Sequence, residues 1–174
     1  MKTSMGNKHR EGFTLTELLA AISILGVLTS LSLPIFSNQI AKSRQGEAEA
    51  MLIQLQISTM AYIDEFMIPP THWGVLSRIS TILTESGPIE ASTRDAKAGG
   101  ALSEEITIPS GKYKIKATTG SNFVFEAISQ QESHKDENLF NVIGCINTEN
   151  GAADVIRGNE TTADQSLLTC NAST

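Results

Sequence analysis

The chain has 174 residues and a mass of 18.7 kDa, which is enough for one domain with an additional segment and too little for two full domains. Apolar residues make up 40% and charged residues 18%, with a mean hydropathy of −0.06, so intrinsic disorder and a multi-span transporter are both disfavoured. The formal net charge of −6 disfavours a nucleic-acid-binding surface.

An apolar run near the N-terminus predicts a single membrane-spanning helix. No Asp, Glu, Lys or Arg occurs from Leu18 through Ala41, a run of 24 residues, whereas roughly 18 to 20 apolar residues cross the hydrocarbon layer. Lys2, Lys8 and Arg10 precede the run, so the positive-inside bias predicts a cytoplasmic N-terminus and an external remainder. A secretory signal peptide is an alternative, but its apolar region has only about 7 to 15 residues.

A plain single-pass anchor leaves Glu17 unexplained. This carboxylate lies at the start of the apolar run, and a charge at mid-membrane costs about 2.5–3.5 kcal/mol and usually has a partner or a function. The next basic residue along the helix is Lys42, more than about 35 Å away at a rise of about 1.5 Å per residue. Either another molecule supplies a cation, or the carboxyl stays protonated or reaches back to the headgroups.

The start of this run resembles the N-terminal processing motif of type IV pilins and the related pseudopilins. It follows a short basic leader, and its sequence is Gly12-Phe13-Thr14-Leu15-Thr16-Glu17-Leu18-Leu19. The resemblance implies that a prepilin peptidase cuts after Gly12 and that the new N-terminal residue, Phe13, is methylated. It also implies that Glu17 pairs with the free amino terminus of a neighbouring subunit during assembly.

The same resemblance implies the partners and the location of the protein. The partners are the lipid bilayer before assembly, an inner-membrane assembly platform, and other pilin subunits in a homo-oligomeric filament. The location is the inner membrane, with a single span and a cytoplasmic N-terminus, and then the extracellular pilus. No cofactor is implied.

The apolar run continues into an amphipathic helical pattern. Apolar and small residues recur at spacings of three and four at Ala48, Met51, Leu52, Leu55, Thr59, Tyr62, Ile63 and Phe66. One helix from about Phe13 to Phe66 is predicted, ending before Pro69-Pro70. Gly26 and Pro34 predict a kink or a locally melted stretch, although both residue types are also common in membrane helices.

The C-terminal part predicts an antiparallel sheet, and with the helix it gives a pilin-like α+β fold. Strands are expected at 112–117, 122–129 and 139–147, with an edge from Ile106 or from 167–168. The connecting region contains at most one short helix. The predicted divisions are 1–12 as leader, 13–36 as membrane and assembly half of the helix, 37–68 as its exposed half, 69–103 as connection, and 104–174 as sheet with the C-terminal loop.

Cys145 and Cys170 are the only cysteines, and both fall on the side assigned as extracytoplasmic. Because that compartment is oxidising, a disulfide is predicted, and two free thiols are the alternative. The bridge would close a loop of 26 residues, worth about 3 kcal/mol in the chain-entropy model. The pilin resemblance also implies a C-terminal disulfide loop.

No catalytic or metal site is predicted. His72 and His134 lack metal-ligand spacing and are interpreted as ordinary surface or loop histidines. The segment 147–154 has oxygen ligands around a glycine, but its spacing departs from the calcium-loop pattern, which favours a solvated turn. The triplets at 159–161 and 171–173 match the glycosylation pattern, which is short and matches often by chance.

DNA binding by the isolated C-terminal part is not expected. Removal of residues 1–12 leaves 10 of the 13 basic and 18 of the 19 acidic side chains, a net charge of −8. Such a field repels phosphate. Lys112, Lys114 and Lys116 lie on one strand face, and a solvated outer face is the expected arrangement for alternating lysines.

The sequence therefore predicts a structural subunit of a type IV pilus filament and not an enzyme. A pseudopilin of a type II secretion system and a minor pilin are the nearest alternatives, because they share the N-terminal motif. A single-pass membrane-anchored binding or enzymatic domain is a more distant one.

Overall fold

The computed structural model describes residues 12–95, 98–120, 122–130, 140–159 and 161–170, without the side chains of 31–35, 37 and 38. The chain divides into two compact units, Met1–Ile40 and Ala41–Thr174. Helix α1, Leu15–Phe66, contributes residues to both units. Residues 1–11 of the predicted leader at 1–12, and His134, lie outside the described residues.

The first unit contains the beginning of α1. The helix begins at Leu15, two residues later than predicted, because Thr14 caps it. Its apolar side chains are largely exposed, between 50% and 88%: Phe13, Leu15, Leu18, Leu19, Ile22, Ile24, Leu25, Val27 and Leu28. Gly26 and Pro34 lie within α1, and the kink there stays a prediction.

The second unit contains a five-stranded antiparallel sheet, which confirms the α+β class. The connecting region holds helix α2, Trp73–Leu76, and a small hairpin of β1, Leu83–Thr84, and β2, Gly87–Pro88. The sheet has the order β3-β4-β5-β6-β7, so each strand pairs with its neighbour in sequence. Its strands are β3, Ile106–Thr107; β4, Tyr113–Thr118; β5, Asn122–Ser129; β6, Val142–Asn147; and β7, Ala153–Arg157.

The predicted strands agree with the sheet, with two corrections. Ile106 does supply an edge strand, whereas the alternative edge at 167–168 is wrong, because Gln165–Leu167 forms a 3-10 turn. The strand β7 was not predicted, because its residues Ala153–Arg157 do not alternate clearly between buried and exposed. Leu139, the predicted start of the third strand, lies outside the described residues, and that strand begins at Val142.

The core of the second unit lies between the later part of α1 and one face of the sheet. In β4 the side chains of Tyr113, Ile115 and Ala117 are buried, while the lysines between them are half-buried. This period of two is the pattern that the sequence predicts for a strand with one buried face. The buried cluster includes Ala48, Leu52, Leu55 and Tyr62 from α1 and Phe123, Phe125, Ile115 and Ile146 from the sheet.

Two glutamine side chains of α1 donate hydrogen bonds to backbone carbonyls of β6, of β7 and of the residue after β7. Gln56 Nε2 donates to the carbonyls of Cys145 at 2.8 Å and Asp154 at 3.0 Å. Gln45 Nε2 donates to Gly158 O at 2.5 Å. Because buried polar groups need hydrogen-bond partners, these contacts fix the position of the helix along β6 and β7.

Candidate functional site

The predicted processing site lies immediately before the first helical turn. Gly12, Phe13 and Thr14 are not helical, and α1 begins at Leu15. The side chain of Phe13 is 88% exposed. The peptide bond that the motif marks for cleavage, between Gly12 and Phe13, therefore lies outside the regular helix.

Glu17 and Thr14 form a reciprocal cap at the start of α1. Glu17 Oε2 accepts hydrogen bonds from Thr14 N at 2.9 Å and from Thr14 Oγ1 at 2.8 Å. Thr14 Oγ1 in turn accepts from Glu17 N at 3.3 Å. This is the capping box, in which a threonine at the N-cap and a glutamate three residues later satisfy each other's amides. The Thr-x-x-Glu spacing is visible in the sequence, but Glu17 was interpreted there as a membrane carboxylate and an assembly residue, and its part in a helix cap was missed.

The cap occupies one carboxylate oxygen of Glu17 and leaves the other available. Within the described part of the chain, Oε1 accepts no hydrogen bond, and none of the ion pairs found there involves Glu17. The side chain is exposed. The geometry therefore allows a cation from another molecule to bind Oε1 while Thr14 holds Oε2.

Over residues 18–30 the helix presents exposed apolar side chains, and its three hydroxyl groups are paired internally. Ser23 Oγ donates to Leu19 O at 2.8 Å, and Thr29 Oγ1 donates to Leu25 O at 2.7 Å. Ser30 Oγ likewise donates to a carbonyl of the preceding turn. Because these donors are satisfied within the helix, the surface that remains to be covered is hydrocarbon, which suits a lipid or a second apolar helix.

Among the described residues, no helix combines the length and the apolar character that crossing a membrane requires. The single span over residues 18–41 stays a prediction.

The predicted disulfide between Cys145 and Cys170 is confirmed, and it ties the C-terminal segment to β6. Asp154 strengthens this attachment, since its Oδ2 accepts from Thr169 N at 3.0 Å and from Thr169 Oγ1 at 2.9 Å. The hydrogen bond from the Thr169 amide is the main reason why the pKa of Asp154 lies below its ordinary value. The C-terminal segment is thus held by the disulfide and by the Asp154 carboxylate, which accepts two hydrogen bonds from Thr169.

The predicted turn at 147–154 uses its side-chain oxygens on its own backbone. Asn147 Oδ1 accepts from the amides of Glu149 at 2.8 Å and Asn150 at 3.2 Å, and Asn150 Oδ1 accepts from Ala152 N at 2.9 Å. Across the described ranges, no three His, Cys, Asp or Glu side chains are placed to hold a metal ion. The side-chain oxygens of Asn147 and Asn150 are therefore already bound to the backbone.

The lysines of β4 are paired with acidic side chains. Lys114 Nζ lies 3.3 Å from a carboxylate oxygen of Glu105, and Lys116 Nζ lies 3.1 Å from one of Glu126. Both pairs are partly exposed to solvent. The positive charge on this strand face is thus largely balanced within the sheet.

His72 lies in the connection between α1 and α2, as a loop histidine would, but it is not a surface histidine, because it is only 2% exposed. His72 forms an isolated antiparallel bridge with Ala101, 29 positions later. Nothing in the local sequence around His72 indicates that contact.

Comparison with known proteins agrees with the N-terminal motif. The family described as "Prokaryotic N-terminal methylation motif" matches residues 7–33. Over 65 residues the chain is 34% identical to the type IV major pilin protein PilA of Myxococcus xanthus strain DK1622. That alignment covers 37% of this chain and 30% of the relative, so the chain spans about a third of the length of the curated relative that it matches. No solved structure matches the chain.

The helix-on-sheet fold, the N-terminal motif and the disulfide loop define a pilin-like architecture. The two sequence matches support the type IV pilin family, and with it a prepilin-type protein.

Proposed function

We propose that this chain is a prepilin whose mature form is a structural subunit of a type IV pilus filament. The observation that carries the proposal is the N-terminal motif at the start of α1, which is followed by an apolar helix with no covering partner among the described residues of its own unit. So much exposed apolar surface is unstable in water and is stable when packed against lipid or other helices.

Processing comes first. A peptidase cuts between Gly12 and Phe13, and the new amino group at Phe13 is methylated. The position of this bond before the first helical turn supports the proposal, since the segment is not held by helical hydrogen bonds. Before this cut, the apolar helix anchors the chain in the inner membrane with its N-terminus in the cytoplasm.

Assembly then uses Glu17. The amino terminus of one subunit carries a positive charge, and Glu17 of the neighbouring subunit is its complement. The free Oε1 supports this role, because an amine can bind there without breaking the Thr14 contacts. A buried ion pair adds little net stability, but an unpaired buried charge is costly, so the pair specifies how far adjacent helices are offset.

The second unit forms the outer part of the filament. Its core, the glutamine contacts to β6 and β7 and the Cys145–Cys170 bridge support this, because all of them join residues within the unit. The C-terminal disulfide loop favours a pilus subunit over a pseudopilin. An assembly platform in the inner membrane and its motor supply the force for assembly.

The experiment is to image cells that express the chain and cells that lack it, and to identify the main protein of any surface filament. Filaments that disappear with the chain and consist mainly of it are expected. Normal filaments without the chain, together with loss of protein secretion, would identify a pseudopilin. Filaments that contain only traces of it would identify a minor pilin.

A further inference from the structure

The connection between β6 and β7 contains an Asn–Gly pair to which the pilus proposal gives no role. Asn150 and Gly151 are both exposed and lie outside the two strands. Asparagine is a chemically labile residue, and a glycine after it leaves the side-chain amide open to attack by the next backbone nitrogen. The way in which the turn holds these groups decides whether the pair can react.

The turn holds the attacking nitrogen and the carbon under attack within one hydrogen-bonded ring. Asn150 Oδ1 accepts from Ala152 N at 2.9 Å, and the ring that this bond closes contains both Asn150 Cγ and Gly151 N. The bond also draws electron density towards Oδ1 and stabilises negative charge there, which makes Cγ a better electrophile. In the part of the chain that the structure describes, Asn150 Nδ2 donates to no acceptor, so the leaving group is not held.

The backbone of the turn requires glycine at position 151. Gly151 has a φ of +73°, which other residues rarely adopt, although a Cβ there would contact only Met60 Cε at 3.8 Å. The residue that makes the turn possible therefore also leaves Asn150 unshielded. One hydrogen bond opposes the reaction, because Gly151 N donates to Asn147 O at 2.9 Å and must be released before it attacks. This bond lies in a turn beyond the strand ladder, where local opening takes little free energy.

Asn147 provides a comparison within the same turn. Its Oδ1 also accepts from backbone amides, those of Glu149 and Asn150. Its Nδ2, however, donates to Cys170 O at 3.3 Å, so its leaving group is held. The next residue is Thr148, whose β-branched side chain hinders an approach by the backbone nitrogen. The two asparagines thus share the arrangement of Oδ1 and differ at the leaving group and at the following residue.

We infer that Asn150 is a site of spontaneous deamidation. Gly151 N forms a bond to Asn150 Cγ and gives up its proton, while the bond from Cγ to Nδ2 breaks. The amide nitrogen leaves with that proton as ammonia, and a cyclic succinimide remains. Water then opens the ring at either of its carbonyls, which gives aspartate or isoaspartate at position 150. The inference goes beyond the role as a pilus subunit and does not depend on it.

Both products change the turn. Each replaces a neutral amide by a carboxylate next to Glu149, so negative charge accumulates there as the protein ages. Isoaspartate also carries the backbone through the former side-chain carbon, which adds one carbon atom to the chain before Gly151. That insertion displaces Gly151 N from Asn147 O and changes the register of the turn.

The test is incubation of the full chain in detergent micelles in a mildly alkaline buffer, followed by digestion and mass spectrometry. Conversion of amide to carboxyl, partly as isoaspartate, is expected to be about tenfold or more faster at Asn150 than at Asn147. Fragment ions distinguish the two positions within one peptide. Asn147 is therefore measured in the same sample, under the same conditions and in the same turn.

The matched control variant is Asn150→Gln. Glutamine retains the amide, but its additional methylene group requires a larger ring, so conversion at position 150 is expected to slow by about tenfold or more. Equal rates at Asn150 and Asn147, or no conversion at Asn150 in the unchanged chain, would overturn the inference. Undiminished conversion at position 150 in Asn150→Gln would do the same, since it would mean that the amide is lost by direct hydrolysis and not through Gly151 N.

Discussion

At the scale of single residues, Glu17 has two compatible bonding roles. In the free chain it caps α1 through Thr14, which lowers the energetic cost of placing a carboxylate beside an apolar helix. In a filament its other oxygen would bind the amino terminus of a neighbour. The cap therefore orients the group that assembly is proposed to use.

Replacing Glu17 tests that role. Glu17→Ala is expected to leave membrane insertion and cleavage intact and to reduce surface filaments by 100-fold or more, since an unpaired buried charge costs about 3–5 kcal/mol. The readouts are the mass of the mature chain and the number of filaments per cell. Glu65→Ala is the control, because Glu65 is an exposed glutamate near the end of the same helix. Filaments at normal abundance in Glu17→Ala would refute the assembly role.

Asp154 predicts a pH dependence of stability. Its pKa in the folded chain lies below the ordinary value of 3.8, chiefly because the Thr169 amide donates to it. A depressed folded-state pKa contributes stability that is present above the unfolded pKa and is lost as pH falls through the folded pKa.

The free energy of unfolding is therefore expected to fall from about pH 5 towards about pH 2, and to fall less steeply in Asp154→Asn. Denaturant titrations of both proteins, with the disulfide intact, provide the measurement. Parallel pH profiles for the two proteins would contradict the assignment.

At the scale of elements, the position of α1 on the sheet depends on Gln56 and Gly144. A Cβ at position 144 would lie 2.9 Å from Gln56 Nε2 and 3.4 Å from Val155 Cγ2. Gln56 could move away only by breaking its bonds to Cys145 O and Asp154 O. Glycine at 144 thus creates the space that the helix-to-sheet contact needs.

Gly144→Ala is expected to lower the free energy of unfolding by about 1–3 kcal/mol, the cost of leaving the two carbonyls without their donor. In a Gln56→Ala background the same change is expected to cost clearly less, because the clashing amide is absent. Chemical denaturation of the two single variants and the double variant measures this coupling. Additive effects would mean that the two residues do not act together.

Local sequence patterns predicted the long helix and the main strands. The period of two in β4 and the three-to-four spacing after Ala48 each arise from one buried face, so they are visible in the sequence. The strand β7 was missed because its side chains are neither clearly buried nor clearly exposed. His72 is buried and bridges to Ala101, 29 positions later, and no local signal reports a contact at that separation.

At the scale of the whole chain, the two units differ in what they need in order to be stable in water. The second unit buries its own core and closes its C-terminal segment with a disulfide, so the interactions that stabilise it lie within the unit. The first unit exposes large apolar side chains and presents one carboxylate at the start of its helix. The motif from Gly12 to Leu19 is the basis of the different roles proposed for the two units, and those roles stay a prediction. The glutamine contacts of α1 to the sheet depend on the folded arrangement and were not predicted.

The most direct test is the mass of the intact protein purified from cells that carry the matching peptidase. A chain that begins at Phe13 and carries one added methyl group is expected. A chain that still begins at Met1 would contradict it, because Glu17 would then have no newly formed amine on a neighbour to bind.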